Sequence, residues 1–475
     1  MKMKGDFKMS FSIDTFKKDI GKVINKHQIP GVGVGFNIKG ERFYDEGFGY
    51  RHVEEKLPIT PDTVFGIASM TKSFTCVAIM KLQEEGKLSV HDQVIKYLPE
   101  FNLPNKDYLD RVTIHHLMTH TAGLPPLSTH KFARKRSVDQ DPSAKDYGLD
   151  LLNNDGEPID TYEQFIDYIS TLDITLLGPP GTQFSYSNDS YGLLGVIIAR
   201  ASGQSYESYI EEKILKPANM VNSFFDLDEL DTRNNVTTLY ASKKEDGNQK
   251  VYAAPVWWDA PSMRAGGYLK STVNDILNYL EIIRIDGVVS SNRILTTESV
   301  RQLTYPHVEI EQGYFYGYGF SITPDYFGST LIEHGGGLKG VSSFMGVIPE
   351  KDLTGVVLTN LSGVPAETML LGAVNLAHDQ DFLAKPIQYE KQHITTEQLE
   401  TYTGTFTSHE GMNVAFTLTD DQLVLDTQDS ANVPLSYVGD DTFVTPENKT
   451  IRFIKNEAGE IIRVFYGLRQ IFKDK

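Results

Sequence analysis

Residues 65–86, FGIASMTKSFTCVAIMKLQEEG, are the stretch that most limits how this chain can fold. Apolar residues dominate the segment, and a helix that is apolar around most of its surface has to be buried inside a domain. Gly86 stands where a helix C-terminal cap belongs, because glycine adopts the left-handed backbone of that position without strain. The segment therefore predicts a buried helix, with Ser69 and Lys72 near its start.

The length of the chain predicts two domains. With 475 residues it exceeds the size at which a single hydrophobic core usually stops growing. A hydrophobic share of 40% and a charged share of 23% are typical of a folded globular protein. The net charge of -18 opposes binding to nucleic-acid phosphates or anionic membranes, so we expect no nucleic-acid partner.

Cysteine content and the N-terminus bear on chemistry and location. Cys76 is the only cysteine, which excludes an intrachain disulfide and an all-cysteine metal site. No run approaches the roughly 18 consecutive apolar residues that a membrane span requires. The N-terminal sequence MKMKGDFKMSFSIDTF is basic but has no apolar signal core and no small-residue cleavage site. These features predict a cytoplasmic protein without metal or cofactor; an exported protein whose signal has been removed is the alternative.

Residues 10–385 form the larger predicted domain. It begins with an amphipathic helix and two paired strands, GVGVGFNIKG and RFYDEGFGY, and ends with β-branched strands in LIEHGGGLKGVSSFMGVIPEKDLTGVVLTN. Residues 127–160 are polar, charge-rich and weakly periodic. We interpret them as an inserted loop, either a functional lid or a disordered segment.

A smaller domain is predicted for residues 397–475, after a linker at residues 386–396. Short alternating strands such as VAFTLTDDQLVLDT and TIRFIKNEAGEIIRVFYGL are separated there by turn sequences. This pattern is typical of an antiparallel meander that forms a small barrel-like domain or a curved sheet.

Several binding and catalytic motifs are excluded by single positions. GVGVG at residues 31–35 lacks the third glycine of a dinucleotide fingerprint, because Phe36 occupies that place. GGGLKG has no Gly-Lys-Ser/Thr and is not a phosphate loop, and no G-x-S-x-G occurs. His116 and His120 are spaced like zinc ligands, but Leu117 replaces the glutamate of H-E-x-x-H, so a structural role is favoured.

Two aromatic stretches have alternative interpretations. Trp257-Trp258 and YFYGYGF at residues 314–320 are both interpreted first as packing residues. An aromatic rim of a substrate cleft is the second interpretation, since such clefts are lined by apolar and aromatic side chains.

Two S-x-x-K sequences occur, Ser69/Lys72 and Ser128/Lys131, and only their context separates them. Ser69 and Lys72 stand three apart on the predicted buried helix, so their side chains share one face. Ser128 lies in the polar insertion after a proline pair. A serine hydroxyl needs a neighbouring proton acceptor, and lysine becomes one only where burial or a second cation disfavours its ammonium form. The first pair is therefore the candidate nucleophile and base.

Two further motifs follow in chain order. YSN at Tyr186–Asn188 is the only Y-x-N and follows the loop GPPGTQFS. HGGG at residues 334–337 lies among strand-like residues, and H-x-G recurs at His409. Each motif is weak alone. Together, S-x-x-K at a helix start, Y-x-N in an inter-helix loop and H-x-G on a strand form an ordered set.

With these three motifs the chain resembles the serine β-lactamase/penicillin-binding-protein superfamily. It is most similar to class C-type β-lactamases and to the D-aminopeptidase, alkaline D-peptidase and esterase group. Supporting stretches run through most of residues 10–380, among them GFGYRHVEEKLPITPDTVFGIASMTKSFT, TIHHLMTHTAGLP and RAGGYLKSTVNDILNYL. The tail with YTGTF resembles a lipocalin-like domain. The resemblance implies an α+β fold, an antiparallel sheet flanked by helices with an all-helical subdomain.

The resemblance also implies roles for individual residues. Ser69 would be acylated, Lys72 would be the base or proton relay, and Tyr186 would exchange protons with Ser69 and the leaving group. Which of Lys72 and Tyr186 takes the first proton is left open. Asn188 would orient Lys72 and the substrate amide.

A backbone site for the developing oxyanion is implied as well. The N–H groups of Ser69 and Gly337 would form the oxyanion hole, and Gly335 and Gly336 would let a ligand backbone approach closely. His334 stands where β-lactamases and transpeptidases carry the lysine of K-T-G, and histidine is only partly charged near neutrality. That favours D-peptidase-like relatives over strong β-lactamases.

Three functions are compatible with these residues and this resemblance. The first is a serine hydrolase of amides or peptides, including those with D-residues, acting through an acyl-enzyme. The second is an esterase or weak β-lactamase on the same site, and the third a non-catalytic penicillin-recognition protein. The expected partner is a small-molecule or short-peptide substrate, and the C-terminal domain is a candidate for homo-oligomerisation.

Overall fold

The computed structural model describes residues 12–147, 156–245, 248–428 and 430–474. Helices cluster in the first four-fifths of the chain. In chain order they are α1 Ile13–Lys26, α2 Thr71–Glu84, α3 Lys106–Leu109, α4 Ile114–Met118, α5 Thr129–Ala133, α6 Lys135–Asp139, α7 Tyr162–Thr171, α8 Asn188–Ser202, α9 Tyr206–Ile210, α10 Val273–Arg284, α11 Thr297–Leu303, α12 Ala366–Leu376 and α13 Thr396–Glu400.

Strands occur at both ends of the large domain and throughout the C-terminal part. Those of the large domain are β1 Gly31–Ile38, β2 Glu41–His52, β3 Leu57–Pro58, β4 Phe65–Gly66, β5 Tyr240–Glu245, β6 Asn248–Ala253, β7 Lys270–Ser271, β8 Val288–Val289, β9 Asn292–Arg293, β10 Val308–Glu311, β11 Tyr314–Tyr316, β12 Ser321–Tyr326, β13 Ser329–Leu338, β14 Val341–Ile348 and β15 Leu353–Thr359. Those of the C-terminal part are β16 Gly404–Thr407, β17 Asn413–Thr419, β18 Gln422–Thr427, β19 Val433–Pro434, β20 Ser436–Gly439, β21 Thr442–Val444, β22 Thr450–Lys455, β23 Ile461–Tyr466 and β24 Arg469–Phe472.

A nine-stranded antiparallel sheet organises the large domain, in the order β10-β11-β12-β13-β14-β15-β1-β2-β3. Its central strands are buried on both faces because helices cover both sides. Alternate residues of β15 show this: Val356 packs in the cluster that includes α10, and Val357 packs in the cluster that includes α1 and α12. The predicted α+β architecture is confirmed.

The glycines of GVGVG have a packing role. A Cβ at Gly35 would lie 2.5 Å from Val273 Cγ1 and 2.8 Å from Leu277 Cδ1 of α10. Glycine therefore lets α10 lie directly on β1. This packing explains the glycines of the motif, and no nucleotide-binding role is needed to explain them.

The predicted buried helix is α2. Its side chains from Thr71 to Met80 are all buried, and it contacts α8 in the largest hydrophobic cluster. Gly86 follows its end with a φ of +68°, the left-handed conformation expected of a C-terminal cap.

The insertion at 127–160 differs from the expected loop. Its described residues include α5, α6 and a 3₁₀ turn at Ala144–Tyr147, while residues 148–155 lie outside the described part. Asp141 forms an ion pair of 3.0 Å with Lys339, and both side chains are almost fully buried. The helices are five residues each, too short for a helical period to show in a polar sequence.

The C-terminal part consists of α13 and two antiparallel sheets, β16-β17-β18-β19 and β20-β21-β22-β23-β24, around one core. Within the described residues a single bridge, between Phe406 and Lys473, joins the two sheets, and β19 does not pair with β20. The barrel-like domain of the sequence prediction is therefore not a closed barrel. On the other side, β19 and β20 follow each other along the chain with only Leu435 between them and pair into different sheets, so no single ladder runs round the domain.

None of the helices in the described ranges has both the length and the apolar run needed to cross a lipid bilayer. The cytoplasmic location, with export as the alternative, stays a prediction.

Candidate active site

Ser69 lies in a 3₁₀ turn, Ala68–Met70, that leads directly into α2. Ala68 has a φ of +47°, a left-handed conformation that is costly for a residue with a Cβ and that is often found at functional sites. The turn is held by Thr71, whose hydroxyl donates to Ala68 O at 2.7 Å. The side chain of Ser69 is partly exposed and lines a cavity at this end of the helix.

Lys72 is fully buried beneath Ser69. Its Nζ donates to Ser69 Oγ at 3.2 Å, to Asn188 Oδ1 at 2.9 Å and to Gly266 O at 2.6 Å. The pKa of Lys72 is lowered to about 7, chiefly by burial and also by the positive charge of Arg469, against a smaller opposing effect of Glu410. An appreciable fraction of the amine is therefore neutral near pH 7 and can accept a proton.

Tyr186 and Asn188 are brought to Ser69 by the loop that precedes α8. Ser187 caps α8, its Oγ accepting from Ser190 N at 3.0 Å. His120 holds the same loop, because its Nδ1 accepts from Ser187 N at 3.0 Å and its O accepts from Ser185 N at 3.0 Å.

The Tyr186 ring centroid lies 4.8 Å from Lys72 Nζ. Burial raises the pKa of the Tyr186 phenol well above its usual value, and a hydrogen bond with Ser69 opposes part of that rise. The three side chains of the predicted Ser-Lys-Tyr set are therefore in mutual contact.

The structural interpretation of His116 and His120 agrees with their contacts. His116 forms a capping box with Thr113 at the start of α4, and His120 supports the Tyr186 loop. Among the residues that the structure describes, no group of three or more His, Cys, Asp or Glu side chains could hold a metal ion.

Strand β13 passes beside Ser69 with Gly336 facing the turn. A Cβ at Gly336 would lie 2.3 Å from Ile67 O and 3.0 Å from Ser69 N, so no larger residue fits without movement. Gly337, one residue further, lines the same cavity as Ser69.

His334 is buried behind Tyr186 and does not line the cavity. Its Nδ1 lies 2.6 Å from Gly335 O and its Nε2 lies 3.1 Å from Tyr316 Oη. A proton on Nδ1 satisfies both contacts, since Nδ1–H donates to the carbonyl and Nε2 accepts from the phenol. Burial and the nearby Lys72 lower the pKa of His334 to about 3, so its ring is neutral at physiological pH.

The cavity is lined partly by predicted residues and partly by others. The lining residues are Ala68, Ser69, His130, Asn188, Met263, Gly266, Gly267, Tyr268, Gly337, Leu338 and Arg469. The sequence prediction included Ser69, Asn188 and Gly337. His130 comes from the insertion and donates to or accepts from Tyr268 Oη at 2.7 Å. Tyr268 belongs to RAGGYLKS, part of one of the stretches that carry the family resemblance.

Two charged side chains of the C-terminal part reach this site, and the sequence prediction missed both. Glu410 Oε1 accepts from Asn188 Nδ2 at 2.7 Å, and Glu410 Oε2 is 2.5 Å from Arg469 Nε. Glu410 lies in the second H-x-G, His409-Glu410-Gly411, a pattern that carries no functional signal by itself.

The fold and the Ser-Lys-Tyr arrangement define the class of β-lactamase-like serine hydrolases. The Beta-lactamase family model matches residues 14–379, and the chain belongs to this family. That match covers the large domain and leaves the C-terminal sheets outside it.

Curated relatives and solved structures agree with this assignment. The chain is 25% identical over 421 residues to penicillin-binding protein 4* of Bacillus subtilis, with 84% of each chain covered. It is 28% identical over 352 residues to Protein flp of Staphylococcus aureus, and this match spans 73% of the chain but only 63% of Protein flp. The octameric penicillin-binding protein homologue from Pyrococcus abyssi superposes with a TM-score of 0.70 at 29% identity, covering 98% of this chain and 100% of that one.

Proposed function

We propose that this protein hydrolyses amide or peptide bonds, including those of peptides with D-residues, through an acyl-enzyme on Ser69. The observation that carries the proposal is the buried amine of Lys72, 3.2 Å from Ser69 Oγ with its pKa lowered to about 7. A serine hydroxyl with such a base beside it is an activated nucleophile.

In the acylation step, Ser69 Oγ attacks the carbonyl carbon while its proton passes to the neutral amine of Lys72. The transfer is either direct or through Tyr186 Oη, which accepts the proton as its own proton moves on to Lys72. The tetrahedral oxyanion is held by the N–H groups of Ser69 and Gly337. Loss of one such donor costs about 3 kcal/mol of transition-state stabilisation in serine hydrolases. When the intermediate collapses, the C–N bond breaks, Tyr186 gives a proton to the departing amine, and the ammonium of Lys72 returns a proton to Tyr186.

Deacylation reverses these roles with water as the nucleophile. Water gives its proton to the Lys72/Tyr186 pair and attacks the ester carbon. The ester C–O bond then breaks, Ser69 Oγ regains a proton, and the acid product leaves. No cofactor is required by this sequence of steps.

The neutral His334 favours amides and peptides over β-lactams. It supplies no fixed charge at the position where a lysine would stand in β-lactamases, and its ring is turned into the protein. Esterase or weak β-lactamase activity is the second candidate, since an ester needs the same nucleophile and a less demanding leaving group. The intact contacts among Ser69, Lys72 and Tyr186 argue against a silent penicillin-recognition protein.

The test is covalent trapping followed by a substrate panel. A fluorophosphonate probe and mass spectrometry should place the label on Ser69, and Ser69→Ala should remove it. Ser128→Ala is the matched control, because it alters the other S-x-x-K serine, whose hydroxyl bonds to Tyr168 Oη at 2.7 Å.

D- and L-aminoacyl amides, p-nitrophenyl esters and nitrocefin then separate the three functions. Turnover of amides above the other classes supports the proposal. Absence of labelling, with the wild type and Ser69→Ala behaving alike, would instead favour the recognition protein.

We further propose that the chain forms homo-oligomers through its C-terminal domain, because the similar Pyrococcus abyssi protein is described as octameric. Light scattering of the full chain tests this, with a monomer mass as the contrary result. We also propose that the chain belongs to the D-aminopeptidase-like group and that residues 397–475 are a lipocalin-like domain.

A further inference from the structure

The hairpin between β23 and β24 ends at the catalytic loop. Gly467 and Leu468 at its turn have φ values of +56° and +66°, the pair of left-handed residues expected of a tight hairpin turn. Leu468 O accepts from the backbone N–H of Tyr186 at 2.8 Å. The last hairpin of the chain is thus fixed to the residue that contacts the nucleophile.

This docking places the guanidinium of Arg469 in the wall of the Ser69 cavity. Its Cζ lies 5.2 Å from the centroid of the Tyr186 ring, Nε pairs with Glu410, and Nη1 donates to Gly467 O at 3.2 Å. Among the described residues no protein atom accepts a hydrogen bond from Nη2. The group is therefore oriented by the protein and still has donors to offer, since a guanidinium carries five N–H bonds.

Among the described residues that line the cavity, Arg469 is the one side chain that stays cationic, and it meets Glu410 through Nε alone. Lys72 has all three of its donors on protein acceptors and serves the nucleophile. Burial lowers the pKa of His130 well below its usual value, so that ring is neutral. Arg469 remains protonated at any physiological pH. Glu410 is held between Asn188 and Arg469, so both of its oxygens are already occupied.

We propose that Arg469 forms an anion subsite through which the C-terminal domain binds a carboxylate of the substrate beside Ser69. The inference rests on the proposed function for the identity of the reacting bond. Arg469 stacks on Tyr186, the residue that would protonate the leaving group, so the carboxylate belongs to the leaving-group side. The substrate class is an acylated amino acid or peptide with a free carboxylate near the scissile bond.

Binding in a Ser69→Ala background tests the subsite without turnover. Isothermal titration calorimetry would compare N-acetyl dipeptides in D,D and L,L forms, each as the C-terminal carboxylate and as the neutral carboxamide. A charge-assisted hydrogen bond should make the carboxylate of at least one pair bind about 10- to 100-fold more tightly. In Ser69→Ala/Arg469→Gln that ratio should fall towards 1, and Arg469→Lys should keep part of it.

Arg452→Gln is the matched control. Arg452 also lies in the C-terminal domain and also stacks on an aromatic ring, 5.3 Å from the Phe465 centroid, but it is exposed and outside the cavity. The carboxylate preference should be the same with and without this change. If Arg469→Gln does not fold, the same titrations are made with Arg469→Lys at increasing salt concentrations. The preference for the carboxylate over the carboxamide should then fall, because salt screens the charge.

The outcomes separate this inference from the proposed function. The subsite is overturned by any of three results: equal affinity for carboxylate and carboxamide, no binding of either, or an unchanged affinity ratio in Arg469→Gln. This holds even if the fluorophosphonate labels Ser69 of the wild type. Conversely, a carboxylate preference that depends on Arg469 supports the subsite even where Ser69 is not labelled, and in that case only the hydrolase proposal fails.

Discussion

At the scale of single residues, burial decides the chemistry of this site. Lys72 and His334 are both basic side chains, and both have their pKa lowered because the charged form loses its hydration inside the protein. The shift leaves Lys72 titrating near neutrality, where a base is useful, and leaves His334 neutral at physiological pH. Gly336 contributes by having no side chain, since a Cβ there would meet the backbone of the Ser69 turn.

The pKa of Lys72 predicts a pH profile for acylation. Labelling of Ser69 by a neutral fluorophosphonate should rise with pH through about 7, because the amine accepts a proton only after losing its own. Arg469→Gln removes a positive charge that lowers the pKa of Lys72, so its profile should move to higher pH. The rate of Ser69 labelling, measured by stopping the reaction at set times across pH 5–10, gives the profiles of the wild type and of Arg469→Gln. Arg452→Gln is the control. An unchanged midpoint in Arg469→Gln would contradict the role assigned to its charge.

At the scale of elements, a buried ion pair joins the helical insertion to the end of β13, the strand that carries Gly337. Lys339 follows β13, and its Nζ contacts Asp141 as well as Ala254 O and Val256 O. Asp141 in turn accepts from the Trp258 indole at 2.8 Å. The Trp257-Trp258 pair is thus divided: Trp258 is buried packing, and Trp257 lines a shallow apolar cavity adjoining the Ser69 site.

Breaking this pair should destabilise the large domain. Lys339→Met leaves Asp141 buried and uncompensated, a change that typically costs about 3–5 kcal/mol. Denaturant unfolding followed by tryptophan fluorescence measures it, since Trp258 contacts the pair. Asp141→Leu/Lys339→Met should recover much of the loss. The exposed pair of Lys96 with Asp92 provides the comparison, and Lys96→Met should leave the midpoint unmoved. A small effect at Lys339 would show that the insertion is held by other contacts.

At the scale of the whole molecule, the C-terminal sheets pack on the catalytic loop through a small apolar cluster. Phe465 joins Phe184, Tyr186 and Tyr316 in that cluster. Polar contacts surround it: Arg463 Nη1 donates to Leu177 O at 2.8 Å, and Gln470 Nε2 donates to Gln183 Oε1 at 2.9 Å. The two parts of the chain therefore share one site.

Phe465→Ala should loosen that contact. Truncation of a buried phenylalanine costs about 3–5 kcal/mol, and here the cavity would open beside Tyr186. We expect slower labelling of Ser69 and faster amide exchange in residues 183–188, both measured by mass spectrometry. Leu383→Ala, at a side chain that is 67% exposed, should change neither. Normal labelling in Phe465→Ala would mean that the loop keeps its position without the C-terminal domain.

Local sequence was sufficient for the parts of the fold whose signals are local. The apolar run of α2, its cap at Gly86 and the three-residue spacing of Ser69 and Lys72 are fixed by neighbours within a few turns of helix. The large sheet followed from β-branched strands and their glycine turns. The helices of the insertion could not be predicted because they are short and polar. For the C-terminal strands the sequence left a barrel and a curved sheet open, because closure depends on strands that are distant in sequence.

The sequence alone thus determined that Ser69 and Lys72 share a helix face and that the three motifs follow in order, because these depend on residue type and short-range geometry. Their roles as nucleophile and base stay predictions. Only the tertiary structure showed that Lys72 is buried deeply enough for its pKa to fall near neutrality and that the His334 ring faces the protein interior. It also placed Glu410 and Arg469 at the site. The physical reason is that burial and charge proximity are properties of packing. Arg469 is 400 residues from Ser69 in the chain, and only the docking of the last hairpin brings its charge there.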